Sequence, residues 1–151
     1  MRQLLALCAA LLTAAPAIAE IKYQDSGRPW IDAGPAFYGS DAQPEDSRLL
    51  LQVWKILPSQ KQVIYWNRVT FTSDYFKRLK QENPPNSQWG KAFDRLDPRR
   101  PTGPYQVDCN TKAVSLVLVE EGSAAPVFRP VGEDIRWANY ACRLSGMPSP
   151  E

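Results

Sequence analysis

The chain has 151 residues, 18 basic against 16 acidic side chains for a net charge of +2, three cysteines and no histidine. That near-neutral balance gives no support for a nucleic-acid partner, which would show as a strongly basic domain, and the missing histidine removes the commonest catalytic base and metal ligand. Fourteen prolines, mostly outside the periodic segments, predict a loop-rich fold with stiffened connections.

The first residues read as an export signal. Arg2 supplies a basic start, Leu4 to Leu12 an apolar stretch, and Ala17-Ile18-Ala19 a small-x-small site for cleavage after Ala19. The apolar stretch, broken by Pro16, is shorter than the roughly 20 residues that span a bilayer, and no later run is longer. No transmembrane segment is expected, and the product is expected to be soluble, either periplasmic or secreted. A lipoprotein reading centred on Cys8 fits less well: Cys8 lies inside the apolar stretch and follows Leu7, where lipid attachment wants a small residue. Removing 19 residues from 151 leaves 132, the size of one domain, with 17 basic against 16 acidic residues once Arg2 is gone. The chain then divides into a signal peptide over 1–19, an extended N-terminal arm over 20–47, a single α+β domain over 48–146 and a tail over 147–151.

The arm carries Gly27, Pro29, Gly34, Pro35, Gly39 and Pro44, too many breakers for a long regular element. It leaves room for one short strand. From Arg48 to Ile56, Leu49, Leu51 and Val53 point one way and Leu50, Trp54 and Ile56 the other, with Gln52 and Lys55 as polar interruptions, which predicts a strand. Pro58-Ser59-Gln60-Lys61 reads as a turn. Gln62 to Thr72 resumes the alternation, with Val63, Tyr65, Val69 and Phe71 set against Ile64, Trp66, Arg68 and Thr70, completing an antiparallel hairpin.

Ser73-Asp74 predicts a helix start, with the serine oxygen accepting from a first-turn amide. A short helix to Glu82 would turn Tyr75, Phe76 and Leu79 inward and Lys77, Arg78 and Lys80 outward, and Asn83-Pro84-Pro85 would stop it. Asn86 to Pro104 shows no convincing period, although Lys91 to Leu96 could form a turn of helix around Phe93. Tyr105 to Cys109 and Lys112 to Glu120 read as extended, the second as a central strand apolar on both faces. Glu121-Gly122-Ser123 turns the chain into a short edge strand from Pro126 to Arg129. Gly132-Glu133-Asp134 then opens the last helix with two acids, and Arg143 and Gly146 close it.

With Cys8 removed, Cys109 and Cys142 remain. In an oxidising compartment two thiols of a small domain usually pair, and closing such a loop is worth roughly 3 to 4 kcal/mol in the chain-entropy model. The alternative is two separate buried thiols. A nucleophilic cysteine fits worse, because no histidine is present to generate the thiolate. Ile135, Ala138 and Cys142 share one helical face, so if Cys109 ends a strand beneath that face, a disulfide staples the last helix to the sheet.

The paired strands with a tryptophan, the strand ending in Asp108-Cys109, and Phe128-Arg129-Pro130-Val131-Gly132-Glu133 running on to Cys142 resemble the bacterial surface-adhesin protein E family over roughly Leu49 to Arg143. The resemblance implies an exported α+β domain: an antiparallel sheet packed against a C-terminal helix tethered by one disulfide, with one short additional helix. It also implies binding of a host-matrix protein of the vitronectin or laminin kind. The long middle insertion from Asn83 to Pro104 has no clear counterpart in that pattern, and members displayed on the outer surface are typically lipid-anchored.

Two surfaces are candidates for binding. Trp89, Lys91, Phe93, Arg95, Arg99 and Arg100 put aromatic and cationic groups on a proline-bounded loop, the residue types enriched at interface hot spots. The plainer reading tucks Trp89 and Phe93 onto the sheet and leaves the arginines solvated. Trp30, Phe37 and Tyr38 form a second aromatic patch that could stack on a sugar or peptide, though such an arm more often covers a sheet edge. Glu45-Asp46, Glu120-Glu121 and Glu133-Asp134 are adjacent carboxylates, which do not face each other across a substrate, and turn or helix-start roles account for them. No phosphate-cradling glycine loop and no metal-ligand spacing are present. The sequence therefore predicts no enzyme, no cofactor and no metal. Two functions follow: a protein-binding module for a matrix or envelope protein, or an accessory envelope protein that dimerises through a strand edge.

Overall fold

Alternating apolar side chains of the central hairpin build the middle of a seven-stranded antiparallel sheet. The structure is a computed structural model that describes residues 15–36, 43–95, 100–133 and 135–147, with the backbone alone for 92–95. Its strands are β1 (Ile18–Glu20), β2 (Ile31–Pro35), β3 (Ser47–Leu57), β4 (Gln62–Phe71), β5 (Thr102–Asp108), β6 (Ala113–Glu120) and β7 (Pro126–Glu133). Strands β2 to β6 pair in chain order. β7 runs along one edge of β6 from Glu133 opposite Ala113 to Pro126 opposite Val119, so β5 and β1 share the other edge.

The β3–β4 hairpin turns over a single 3-10 turn, Pro58–Gln60, and Lys61 takes the left-handed conformation that closes it. Leu49, Leu51, Val63, Tyr65, Val107 and Val114 face one way and bury against α3 (Arg136–Leu144) through Ala138, Ala141 and Cys142. Cys109 and Cys142 are bonded, their Cα atoms 5.9 Å apart. The disulfide fastens α3 to the turn that follows β5, as expected if Cys109 closes a strand beneath the helical face of Cys142. β2, the strand within the arm, pairs antiparallel with β3, and the half-exposed ion pair of Arg48 with Asp32, at 2.9 Å, spans the two. α1 (Ser73–Glu82) buries Tyr75 and Leu79 beside Phe71 and Phe76 in a separate small cluster.

Several expectations change. Among the described residues two further α-helices accompany α3 where one was expected, because α2 (Gln88–Arg95) forms a full element in the middle segment. α3 begins at Arg136, with Ile135 as its cap and no acid in its first turn. Gly132 and Glu133 instead end β7, held extended opposite Val114 and Ala113, which also makes β7 longer than Pro126 to Arg129. Asp134 lies outside the described residues. α1 is capped by Thr72, without a side-chain hydrogen bond, and Ser73 is already its first helical residue. Finally, the β3–β4 register shifts between Val53 and Lys55, and this bulge puts Ile56 opposite Val63 on the helix side with Leu51, not on the Trp54 side. A one-residue slip exchanges the faces of everything beyond it.

Candidate binding face

The sheet face away from α3 is crossed by the N-terminal arm. Gln52 alternates with Leu51 and Val53 and so points to this face, where it is 1% exposed. Burying an amide without partners costs more than a hydrogen bond returns, and here the arm supplies them. The Tyr23 hydroxyl donates to Gln52 Oε1 at 2.8 Å, and Gln52 Nε2 donates to Asp25 Oδ1 at 2.9 Å and to the Arg28 carbonyl at 2.7 Å. Ser26 adds a hydroxyl donated to the Val53 carbonyl at 2.7 Å. Gly27, at φ +74°, makes the turn that lets Asp25 and Arg28 converge on one amide. The Gly27 N–H and the Gln52 amide together hold the Asp25 carboxyl below its usual value.

Aromatic rings extend this fastening. Tyr23 meets Trp66 edge-on at 5.2 Å and lies 6.0 Å from Trp30. Trp54, the extra residue of the β3 bulge, packs 5.6 Å from Trp66. The Arg68 guanidinium sits 4.7 Å over Trp30, and the Lys55 ammonium 4.4 Å over Trp54.

Two depressions flank the arm. An open groove of about 930 Å³ is lined by Trp54, Ile64, Val117 and Phe128, with Gln24 and Gln106 among its polar groups. A smaller cleft of about 340 Å³ lies between Tyr23, Trp66, Arg100, Tyr105 and Leu116. Among the described residues no three histidine, cysteine or acidic side chains gather into a metal cage.

No family model, no curated protein and no solved structure matches this chain.

The loop residues singled out by sequence separate. Trp89, 59% exposed, and Lys91, also exposed, stand on α2. Arg100 lines the smaller cleft, which neither of them reaches. Phe93 and Arg95 belong to α2, but their side chains, like all of Arg99, lie outside the described residues. Of the second patch, Trp30 is half-buried and its partners are Tyr23 and Arg68; Phe37 and Tyr38 lie outside the described residues.

Sequence reasoning missed Tyr23, Gln52, Trp54, Trp66 and Phe128 as members of a common face. The signal for Trp66 was present, since it alternates with the core residue Tyr65. Phe128 was visible only as an edge-strand aromatic. It is 48% exposed, and Val131, further along β7, is 50% exposed.

Proposed function

We propose that the chain is an exported, non-enzymatic protein-binding module that captures a matrix or envelope protein, as its resemblance to the surface-adhesin protein E family implies. The observation that carries this reading is Trp89. A tryptophan left 59% exposed on a helix, in a chain with a well-formed core, is the residue type that most often anchors an interface. Exposed Lys91 on the same helix adds a cationic contact, and Arg100, two residues before β5 in the smaller cleft, offers a second, separate one. The disulfide supports export, because such bonds persist in oxidising compartments.

The accessory reading, dimerisation through a strand edge, finds less support. β7 presents the long outer edge, but Pro126 and Pro130 each lack a donor there and the register breaks around Val131. Natural edge strands use these devices to avoid pairing.

The test is capture of purified vitronectin and laminin, and of envelope proteins from extract, by the oxidised protein and by its Trp89→Ala and Arg100→Glu variants. Loss of capture with an unchanged melting temperature supports the reading. Full capture by both variants removes the loop assignment, and no capture by the parent removes the function.

A further inference from the structure

β6 has an edge that its own sheet does not finish. β5 pairs with it only from Tyr105 opposite Leu116 to Val107 opposite Val114. Upstream, Pro104 has no N–H to offer, Gly103 bends the chain at φ +118°, and Thr102 keeps to Asn67 of β4. The far part of that edge is filled by β1. Ile18 lies opposite Glu120, Ala19 opposite Val119 and Glu20 opposite Leu118, and the Glu121 N–H donates to the Ala17 carbonyl at 2.8 Å. These are the last residues of the expected export signal. The bond expected to be cut, Ala19–Glu20, lies inside the strand.

We propose that Ala17–Ala19 fill a strand-acceptor slot on β6 in the uncleaved chain, and that cleavage after Ala19 opens this slot to the C-terminal segment of a partner polypeptide. Hydrolysis takes up one water and leaves the Ala19 carboxylate and the Glu20 ammonium. The departing segment removes the partners of Val119 and Glu121, whose backbone groups then need new ones, while Glu120 stays bonded to Ala124 and Ala125. An added strand supplies them, with affinity from main-chain hydrogen bonds and selectivity from alternate side chains.

Two features favour a chain end over an internal segment. Glu20 stays in line opposite Leu118, so the slot is closed at that end, and a peptide in the place of Ala17–Ala19 must stop where Ala19 stopped. Its terminal carboxylate then meets the new ammonium of Glu20, a charge-assisted contact. The residue replacing Ala19 lies against Val119, which also lines the larger groove, so a small or apolar last residue is preferred.

The inference rests on the reading of the chain as an exported protein-binding module, and amino-terminal sequencing of the exported protein separates the two. A start at Glu20 keeps the proposal; a chain that retains Ala17–Ala19 overturns it at the cleavage step, leaving Trp89 and Arg100 untouched. The binding probe is a synthetic peptide with the sequence of residues 14–19 and a free carboxyl terminus. Titration calorimetry against the chain beginning at Glu20 should give saturable binding, with the Val119 and Glu121 amide resonances shifting. The C-terminal amide of the peptide should bind about tenfold more weakly. A chain beginning at Ala15, with its slot already filled, should not bind. Failure of the Glu20 chain to bind, or equal binding by the two chains, overturns the proposal.

Discussion

The Tyr23 hydroxyl donates 2.8 Å to Gln52 Oε1 across 29 residues of sequence, and this bond ties the N-terminal arm to the centre of the sheet. Gln52→Ala removes the acceptor and the donor that meet Tyr23, Asp25 and the Arg28 carbonyl under a buried side chain. The expected cost is about 1–2 kcal/mol, read as a lower urea midpoint. Trypsin should cut faster after Lys22, next to Tyr23, in the variant than in the parent, at temperatures where the core is still folded.

Acid should loosen the same fastening. The Gly27 N–H, first, and the Gln52 amide lower the Asp25 carboxyl below its ordinary value of 3.8. A lowered folded value means a contribution fully present above 3.8 and lost as pH falls through the folded value. Protease sensitivity of the arm should therefore rise below pH 3.8 and be flat above it, and Asp25→Asn should remove that step. A step of equal size in Asp25→Asn assigns it to another carboxyl.

What was legible in the sequence and what was not divide along the range of the interactions. The β3–β4 hairpin, β6 and the inward face of Cys142 follow from period-two and period-3.6 patterns that each segment carries within itself. The start of α3 did not, because Gly132-Glu133 has the composition of a helix start while a ladder to β6, distant in sequence, holds it extended. Gln52 read as a polar interruption. Its partners lie 24, 27 and 29 residues upstream, beyond any local pattern. The bulge at Trp54 is equally silent, since only the partner strand reveals two residues opposing one. Of the candidate site, residue types were visible, but not that Arg100 joins the cleft beside Trp66 while Trp89 stands on α2.

Reduction should release α3 before the sheet. The disulfide spans 33 residues, and in the chain-entropy model a loop of that length contributes roughly 3 to 4 kcal/mol. α3 shares the buried cluster through Ala138, Ala141 and Cys142 and packs Trp137 edge-on against Tyr65 and Tyr105, but β3 and β4 are each laddered to a strand on both sides while α3 is held by side chains and the bond, so it depends on the tether more than they do. Hydrogen exchange after reduction should show protection falling first over Arg136–Leu144, with β3 and β4 the last to open. Uniform loss would mean that the bond supports the whole domain equally.

Gly90 offers a change of opposite sign to the usual one. In a free helix Gly→Ala is stabilising by about 1 kcal/mol, because alanine loses less backbone entropy. Gly90 in α2 is buried, and a Cβ there would lie 1.9 Å from the Pro84 carbonyl oxygen and 2.9 Å from that of Asn83. That carbonyl cannot retreat cheaply, because it already accepts from the Ser87 N–H at 2.9 Å and the Ser87 hydroxyl at 2.7 Å, and the same hydroxyl accepts from the Gly90 N–H. Gly90→Ala should therefore destabilise by about 1–3 kcal/mol, the range for forcing extra atoms into a packed contact, and should displace α2 from the Asn83-Pro84 turn. Thermal unfolding reads the first effect. The second appears as a changed Trp89 fluorescence, while the Gln52 fastening and the sheet stay as they are. A melting temperature that rises in Gly90→Ala would mean that α2 does not pack on this turn.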